Sequence, residues 1–266
     1  MIRFCSIASG SSGNCIYAGT GETHVLVDAG ISGKRIESGL NALDLTGRDL
    51  DAILVTHEHS DHIQGLGVLA RRYHVPLYMT GGTSDALQRN GALGNIPEGL
   101  ICEICEDVPF EIGDLTVLPF SIPHDAAQPV GYRIGNGSRA VGIATDLGKY
   151  TEYIIDHLQD LDAVLLESNH DVNMLQVGRY PYLLKQRILG DRGHLSNDDA
   201  GRLLCALLHD NIQAVLLGHL SKENNYEKLA YETVCQEVTM GDNPYKASDF
   251  NITVASRERM SEVICI

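Results

Sequence analysis

The chain carries a dense run of potential metal ligands directly after a short apolar segment. The run Thr-His-Glu-His-Ser-Asp-His occupies positions 56–62 and follows Ala-Ile-Leu-Val at 52–55. It offers four ligand-type side chains, which are His57, His59, Asp61 and His62. A sharp turn after a strand can aim the first two at one ion and the last two at a second. Because imidazole and carboxylate suit zinc, manganese or iron, this segment predicts a metal site.

Further ligand-type side chains stand directly after other apolar runs. These runs end near positions 123, 145, 167 and 218, and the side chains that follow them include His124, Asp146, His170 and His219. In α/β proteins the sites lie at the carboxyl ends of buried strands. The recurrence of ligand-type residues at such positions therefore predicts that they share one site.

The composition limits the class of the protein and of its partners. With 266 residues and 44% hydrophobic content, the chain can build a sizeable core, as one large domain or two small ones. The net charge of −15 argues against a broad basic surface that coats long nucleic acid. It does not exclude a small phosphate site, because bound divalent ions reverse the charge locally.

The sequence also indicates a compartment. It has no apolar stretch near the roughly 20 residues that span a bilayer, and its N-terminus lacks the pattern of a secretion signal. The seven cysteines are irregularly spaced, which indicates reduced thiols rather than a disulfide framework. We therefore expect a soluble, cytoplasmic protein that makes no membrane contact.

Apolar runs with strand character alternate with helical patterns, which predicts an α/β architecture. Helical spacing is found at 33–43, 65–73, 151–160 and 178–189. A capping pattern at Ser196 predicts a further helix that extends to about His209. Short runs split by Gly and Pro predict antiparallel strands over 101–142, and strand-like runs return from about Val234. Pro76 indicates that the strand at 75–79 lies at a sheet edge.

Eight short motifs, spread over about residues 1–230, carry a family resemblance. They lie at 9–14, 26–30, 56–62, 123–125, 145–148, 167–171, 193–197 and 218–225. In these motifs the chain resembles the metallo-β-lactamase superfamily, and within it the bacterial YycJ (WalJ, VicX) group of metal-dependent phosphodiesterases. The His-x-His-x-Asp-His element is specific to the superfamily, and the later motifs narrow the resemblance to the group.

The resemblance implies both a fold and a set of ligands. The fold is an αββα sandwich, two packed mixed β-sheets flanked by helices, in a single domain over 1–266. Asp28 is expected to orient a ligand imidazole through a hydrogen bond. The ligands form two sets bridged by Asp146, with His57, His59 and His124 on the first metal and Asp61, His62 and His219 on the second.

The chemistry follows from two divalent ions, whose identity as zinc, manganese or iron stays open. Such a pair can share one water and lower its pKa toward neutrality, and the bridging hydroxide then attacks a phosphodiester. Asp61 and Asp146 offset the metal charge and can accept a proton. His194 precedes the helix predicted near Ser196, and a histidine before a similar helix assists cleavage in the related ribonuclease Z family. We therefore expect His194 to contact the scissile phosphate or to protonate the leaving group.

Three more residues are candidates for substrate binding or for support of the ligands. Asn14 ends the Gly- and Ser-rich loop at 9–14, which can offer backbone N–H groups. His170 can complete a coordination shell, touch the substrate or only brace its loop. Lys222 is a candidate phosphate contact.

The resemblance implies a dinuclear phosphodiesterase that acts on nucleic-acid ends, as a 5′-to-3′ exonuclease on DNA. An acyl hydrolase, such as a glyoxalase II-like thioesterase or a lactonase, shares the same ligand motif and stays an alternative. So does a regulatory protein with a weak or inactive site. The Gly-His-Leu-Ser motifs at 193–196 and 218–221 favour phosphodiesters, and the complete ligand set favours a live enzyme. The residues alone do not decide DNA against RNA, the polarity of digestion or the oligomeric state.

Overall fold

Fourteen strands and nine helices make up the chain, and the computed structural model describes all residues from 1 to 266. The strands are β1 Arg3–Ala8, β2 Cys15–Gly19, β3 His24–Val27, β4 Ala52–Leu54, β5 Leu77–Thr80, β6 Ile101–Ile104, β7 Phe110–Ile112, β8 Leu115–Ser121, β9 Val130–Gly135, β10 Ala140–Ala144, β11 Ala163–Glu167, β12 Ala214–Gly218, β13 Ile252–Val254 and β14 Ile264–Cys265. The helices are α1 Gly33–Asn41, α2 Ser60–Ile63, α3 Leu66–Tyr73, α4 Gly81–Asn90, α5 Glu152–Leu158, α6 Val172–Val177, α7 Tyr182–Leu189, α8 Asn197–Leu207 and α9 Glu227–Met240.

The strands form two mixed sheets of seven strands each. The first sheet has the order β14-β1-β2-β3-β4-β5-β6, and the second has the order β13-β12-β11-β10-β9-β8-β7. Strands β3 to β6 are parallel to one another, as are β10 to β13, while the remaining neighbours are antiparallel. Each sheet therefore presents the carboxyl ends of several parallel strands at one edge.

Three apolar clusters hold four layers together. The middle cluster fills the space between the sheets and includes Phe4, Leu54 and Tyr132. An outer cluster packs the first sheet against α1, α3 and α4, and another packs the second sheet against α5, α8 and α9. Because both faces of each sheet are covered, the central strands are apolar almost throughout. The predicted αββα sandwich is confirmed.

Several predictions about single elements are wrong. Strand β5 is not at an edge, because it pairs with both β4 and β6; Pro76 precedes the strand, where its missing N–H costs no ladder bond. Strand β6 pairs with β5 in parallel rather than antiparallel. The region around Val234 belongs to helix α9, which buries a residue at every fourth position, and α7 begins only after Pro181.

None of the nine helices combines the length and the apolar composition needed to cross a bilayer.

Candidate metal centre

Side chains from six strand ends meet at one edge of the sandwich. Asp28 follows β3, His57 follows β4, His124 follows β8, Asp146 follows β10, Glu167 ends β11 and His219 follows β12. Strands β8, β10, β11 and β12 all run in the same direction, which brings their carboxyl ends together. All six of these side chains are buried, with at most 2% of any residue exposed. The fold thus removes several ionisable groups from water at a single place.

Three of these residues adopt a backbone conformation that is rare outside glycine. Asp28, Asp146 and His219 have φ angles of 62°, 59° and 56°, in the left-handed region. Aspartate and histidine adopt this region more often than most residues do, yet the conformation still costs about 1–3 kcal/mol at each position. Each turn comes within two residues of the end of its strand, so the strained backbone sets where the ligand-type side chain leaves the sheet.

The 57–62 segment packs closely against the end of β3, and Gly30 makes this possible. A Cβ atom at Gly30 would lie 1.6 Å from the backbone oxygen of Asp61, so no other residue fits there. The same oxygen accepts a 2.8 Å hydrogen bond from the Asn14 backbone N–H. The glycine therefore fixes the position of helix α2, which carries Asp61 and His62.

The first predicted ligand set is brought together by the fold. His57, His59 and His124 each offer one ring nitrogen, and these atoms lie within 4.8 Å of one another. His124 Nδ1 contacts the Gly193 carbonyl at 3.1 Å, which leaves Nε2 directed at His59 Nδ1, 3.3 Å away. His57 Nε2 is buried and has no hydrogen-bond partner. Burial lowers the pKa of His57 well below its ordinary value, and the neighbouring His62 adds to this shift.

The second predicted set is also assembled, around His62. Asp61, His62 and His219 offer atoms within 4.8 Å of one another. The side-chain amide of Asn14 lies between two of these rings, 3.2 Å from His62 Nε2 and 3.0 Å from His219 Nδ1. Asn14 therefore holds two imidazoles of this set in place.

Asp146 lies between the two sets. Its Oδ1 is 3.2 Å from His219 Nε2 and 3.6 Å from His124 Nε2, and its Oδ2 is 3.2 Å from His62 Nε2. Although burial alone raises the pKa of this carboxyl, the His219 and His62 rings hold it well below its usual range. Oδ1 thus lies near imidazoles of both sets and Oδ2 near the second set, which is a position suited to a bridging ligand.

Asp28 and Thr56 orient the imidazoles from behind. Asp28 Oδ2 contacts His62 Nδ1 at 2.7 Å and accepts from the Thr56 hydroxyl at 2.8 Å, while Oδ1 accepts from the Thr56 N–H at 2.9 Å. The Thr56 hydroxyl also lies 3.0 Å from His57 Nδ1. One buried carboxylate thus fixes His62 directly and His57 through Thr56, leaving the Nε2 atoms of both rings toward the cluster.

Glu167 is a functional candidate that the sequence analysis did not assign. The carboxylate is fully buried; Oε1 is 2.8 Å from His194 Nδ1, and Oε2 accepts from the backbone N–H groups of Leu147 and Leu195. Burial lowers the pKa of His194, but the Glu167 and Asp146 carboxylates outweigh this effect and raise it to about 9. The signal in the sequence was a charged residue at the end of an otherwise apolar strand, 163–167.

His170 and Lys222 do not join the ligand clusters. His170 is buried outside them, and neither ring nitrogen has a hydrogen-bond partner, so burial lowers its pKa to about 4. Its backbone carbonyl accepts from the Asn197 N–H, at the start of α8, whose N-cap is Ser196 as predicted. Lys222 lines a neighbouring cavity together with Arg257.

Five of the ligand residues, His59, Asp61, His124, Asp146 and His219, line a cavity of about 360 Å³. His57 and His62 belong to the same clusters but are fully buried, and we call all seven residues the ligand floor. His194 also lines the cavity, as do Tyr180, Leu184, Arg187 and Ile188, which the sequence analysis did not single out. The ligand floor consists of imidazoles and carboxylates, two of whose buried atoms, His57 Nε2 and Asp146 Oδ2, have no hydrogen-bond partner. This donor set fits divalent metal.

The chain is similar in sequence to known proteins that belong to one family. Residues 23–219 match the sequence profile of the beta-lactamase superfamily domain. The chain is 42% identical to the exodeoxyribonuclease YycJ of Bacillus anthracis over 237 residues, which cover 88% of each chain. It is 41% identical to the exodeoxyribonuclease WalJ of Streptococcus pneumoniae over 242 residues, 90% of this chain and 89% of that protein.

Solved structures support the same fold. The metallo-beta-lactamase fold protein YhfI of Bacillus subtilis superposes with a TM-score of 0.72 at 19% identity, covering 98% of this chain and all of that one. Sequence and fold therefore place this chain in the metallo-β-lactamase superfamily, within the family that contains YycJ and WalJ.

Proposed function

We propose that the protein is a metal-dependent nuclease that removes nucleotides from an end of DNA. One observation carries this proposal: Asp146 lies within 3.7 Å of His62, His124, His194 and His219, in a cavity open to a substrate. Three of those imidazoles belong to the predicted ligand sets, and the fourth is paired with Glu167. The cavity thus joins a metal site to a histidine that is free to act on substrate.

The ligand floor would hold two divalent ions. His57, His59 and His124 form one ligand set, Asp61, His62 and His219 form the other, and Asp146 serves both. When bound there, such ions supply Lewis acidity toward phosphoryl oxygens and lower the pKa of coordinated water. Asp28 and Thr56 keep the His62 and His57 rings in the orientation that binding requires, since metal ligands need their lone pairs directed at the site.

His194 acts on the leaving group. Hydrolysis of a phosphodiester breaks a P–O bond, and the departing alkoxide oxygen must gain a proton. Glu167 fixes the His194 ring through Nδ1, which leaves Nε2 as the atom that can bond to the phosphate or donate to that oxygen. Because Glu167 is itself held by two backbone N–H groups, the position of the ring is set by the fold.

The family supports DNA as the substrate. The curated relatives YycJ and WalJ are named exodeoxyribonucleases, and each aligns over nearly nine tenths of this chain. The acidic net charge of −15 suits an enzyme that engages a strand end better than one that coats a duplex. The family resemblance supports digestion in the 5′-to-3′ direction.

The test is a substrate panel with the metal-loaded protein. DNA labelled at either end, single- or double-stranded, would be incubated with manganese or zinc beside a thioester and a lactone. We expect DNA to shorten progressively from its 5′ end. When His194 is replaced by Asn, the full-length DNA and its shortened intermediates should persist longer. Hydrolysis of the thioester or lactone with intact DNA would instead assign an acyl hydrolase and contradict the proposal.

A further inference from the structure

Part of the cavity lining comes from one segment of the chain. Tyr180, Leu184, Arg187 and Ile188 all line the cavity, and we call these four residues the α7 wall. Leu184, Arg187 and Ile188 lie on one face of α7, whereas Tyr180 precedes the helix, on the other side of Pro181. No residue of α7 is buried, and Leu183 on its outer side is 77% exposed.

The charge of this segment differs from that of the rest of the chain. Acidic residues outnumber basic ones by 35 to 20 overall, yet no acidic residue occurs from Val172 to Gly190. The same stretch contains Arg179, Lys185 and Arg187. Of these three, Arg187 lines the cavity itself, and a positive charge there favours the approach of a polyanion.

Arg187 is connected to the metal ligands through a single carboxylate. Its guanidinium pairs with Asp125, whose Oδ1 lies 3.4 Å from His124 Nε2 and 4.0 Å from His59 Nε2. The Arg187 side chain is 55% exposed, so it has room to bond to a second anion. A guanidinium presents several N–H donors, and a phosphate beside the scissile one is a suitable acceptor.

Tyr180 gives the wall an aromatic side chain. It is half-buried beside Leu184 and Ile188, which offer an apolar surface of the kind on which a nucleobase packs. Aromatic side chains next to basic groups are the usual means of binding single-stranded nucleic acid without sequence preference. A cavity of about 360 Å³ has the size of a small-molecule site, which is enough for one nucleotide.

We propose that the α7 wall binds the single-stranded end of the substrate, with Tyr180 stacked on a base and Arg187 on a phosphate next to the scissile one. The inference rests on the proposed nuclease activity and adds to it a preference for unpaired ends. The wall thereby decides which strand reaches the ligand floor.

Steady-state kinetics on two substrates test this assignment. The manganese-loaded enzyme would be assayed with a short single-stranded oligodeoxythymidylate and with bis(4-nitrophenyl) phosphate, which has no nucleobase. We expect Tyr180→Ala to raise KM for the oligonucleotide about tenfold, the value of one lost base–aromatic stack, with little change in kcat. Tyr180→Phe keeps the ring and is expected to restore the wild-type KM.

The salt dependence of oligonucleotide affinity distinguishes the role of Arg187 from that of Tyr180. Each phosphate contact to a single strand contributes about 0.7 to the slope of log affinity against log salt. Arg187→Gln should therefore lower that slope for the oligonucleotide by about 0.7, whereas Tyr180→Ala should leave it unchanged. Tyr231→Ala on α9 and Arg202→Gln on α8 are the matched controls. Tyr231 is 43% exposed, and Arg202 pairs with carboxylates as Arg187 does. Neither substitution should alter the KM or the salt slope.

The outcomes are distinct. If the wall variants change KM for both substrates by the same factor, or for neither, the assignment of the wall is wrong while the nuclease stands. If the wild-type enzyme hydrolyses neither diester, the proposed function fails and the wall assignment fails with it. A loss of self-association in the Tyr180 and Arg187 variants, with wild-type KM, would instead assign the wall to a second copy of the chain.

Discussion

The ligand floor and the α7 wall lie at the same cavity and are built in opposite ways. The floor takes most of its residues from the ends of paired, buried strands, and Asp28 and Thr56 support them from below. The wall comes from one short helix with no buried residue and from Tyr180, which is separated from that helix by Pro181. Strand ends fixed by two sheets hold atoms to within fractions of an ångström, as chemistry requires. An exposed helix tolerates change, which suits the part of a site that chooses the substrate.

The largest expected effect comes from breaking the centre of the floor. Asp146→Asn removes the charge that lies between the imidazole groups, so we expect kcat to fall by about 10³-fold, equivalent to several kcal/mol of metal-assisted stabilisation. The control is Asp162→Asn, a buried carboxylate at the opposite end of β11 that pairs with Arg139. Hydrolysis of bis(4-nitrophenyl) phosphate and metal content by emission spectroscopy give the readout. Equal losses in both variants would mean that the effect is one of general stability.

The next effect separates proton transfer from metal binding. His194→Asn should lower kcat by about 10²-fold, within the usual range for loss of a general acid, while the metal content stays at the wild-type level. Glu167→Gln should lower kcat in the same direction by a smaller factor, because the ring keeps a weaker partner. His209→Asn, at a ring that contacts the Leu161 carbonyl away from the cavity, is the matched control. Loss of metal from His194→Asn would place this histidine among the ligands instead.

A smaller effect tests the support beneath the floor. Asp28→Asn weakens the hydrogen bond to His62 Nδ1, so we expect metal affinity to fall by about 10–100-fold. Asp51→Asn provides the comparison, since Asp51 also accepts a backbone hydrogen bond, from His24, but lies at the amino end of β4. Competition titration with a chromogenic chelator measures both affinities. Unchanged affinity in Asp28→Asn would show that the floor holds its shape without that carboxylate.

The smallest effect is on stability, and it should involve the floor alone. Metal at a concentration of about 100 times its Kd adds about 2.7 kcal/mol to the free energy of unfolding. This raises the Tm of a chain of this size by about 5–10 °C. Tyr180→Ala, in the wall, should show the same rise, and Asp146→Asn should show a much smaller one. Differential scanning fluorimetry with and without manganese gives these values. An equal rise in all three proteins would locate the stabilising metal elsewhere.

The floor could be predicted from the sequence because its residues follow apolar runs at fixed offsets. His57, Asp146 and His219 each stand just past such a run, and parallel strands necessarily bring their carboxyl ends to one edge. The pairing of Glu167 with His194 could not be predicted, because it joins positions 27 residues apart through tertiary packing. The fold class followed from the family resemblance, whereas alternation of strands and helices alone allowed other α/β architectures.

The wall and several element boundaries could not be predicted for a different reason. Helix α9 carries apolar residues around most of its circumference, so periodicity did not separate it from strands, and its burial of Val234 and Val238 depends on the second sheet. The wall has no buried residue and no ligand-type motif. Its role depends on which element the fold brings to the same cavity as the floor, and only the structure gives that information.

Anomalous diffraction from crystals soaked in manganese tests the central claim most directly. The account predicts two anomalous peaks in the cavity, one beside His57, His59 and His124 and the other beside Asp61, His62 and His219, with Asp146 between them. A single peak, or peaks only outside the ligand floor, would contradict a dinuclear centre bridged by Asp146.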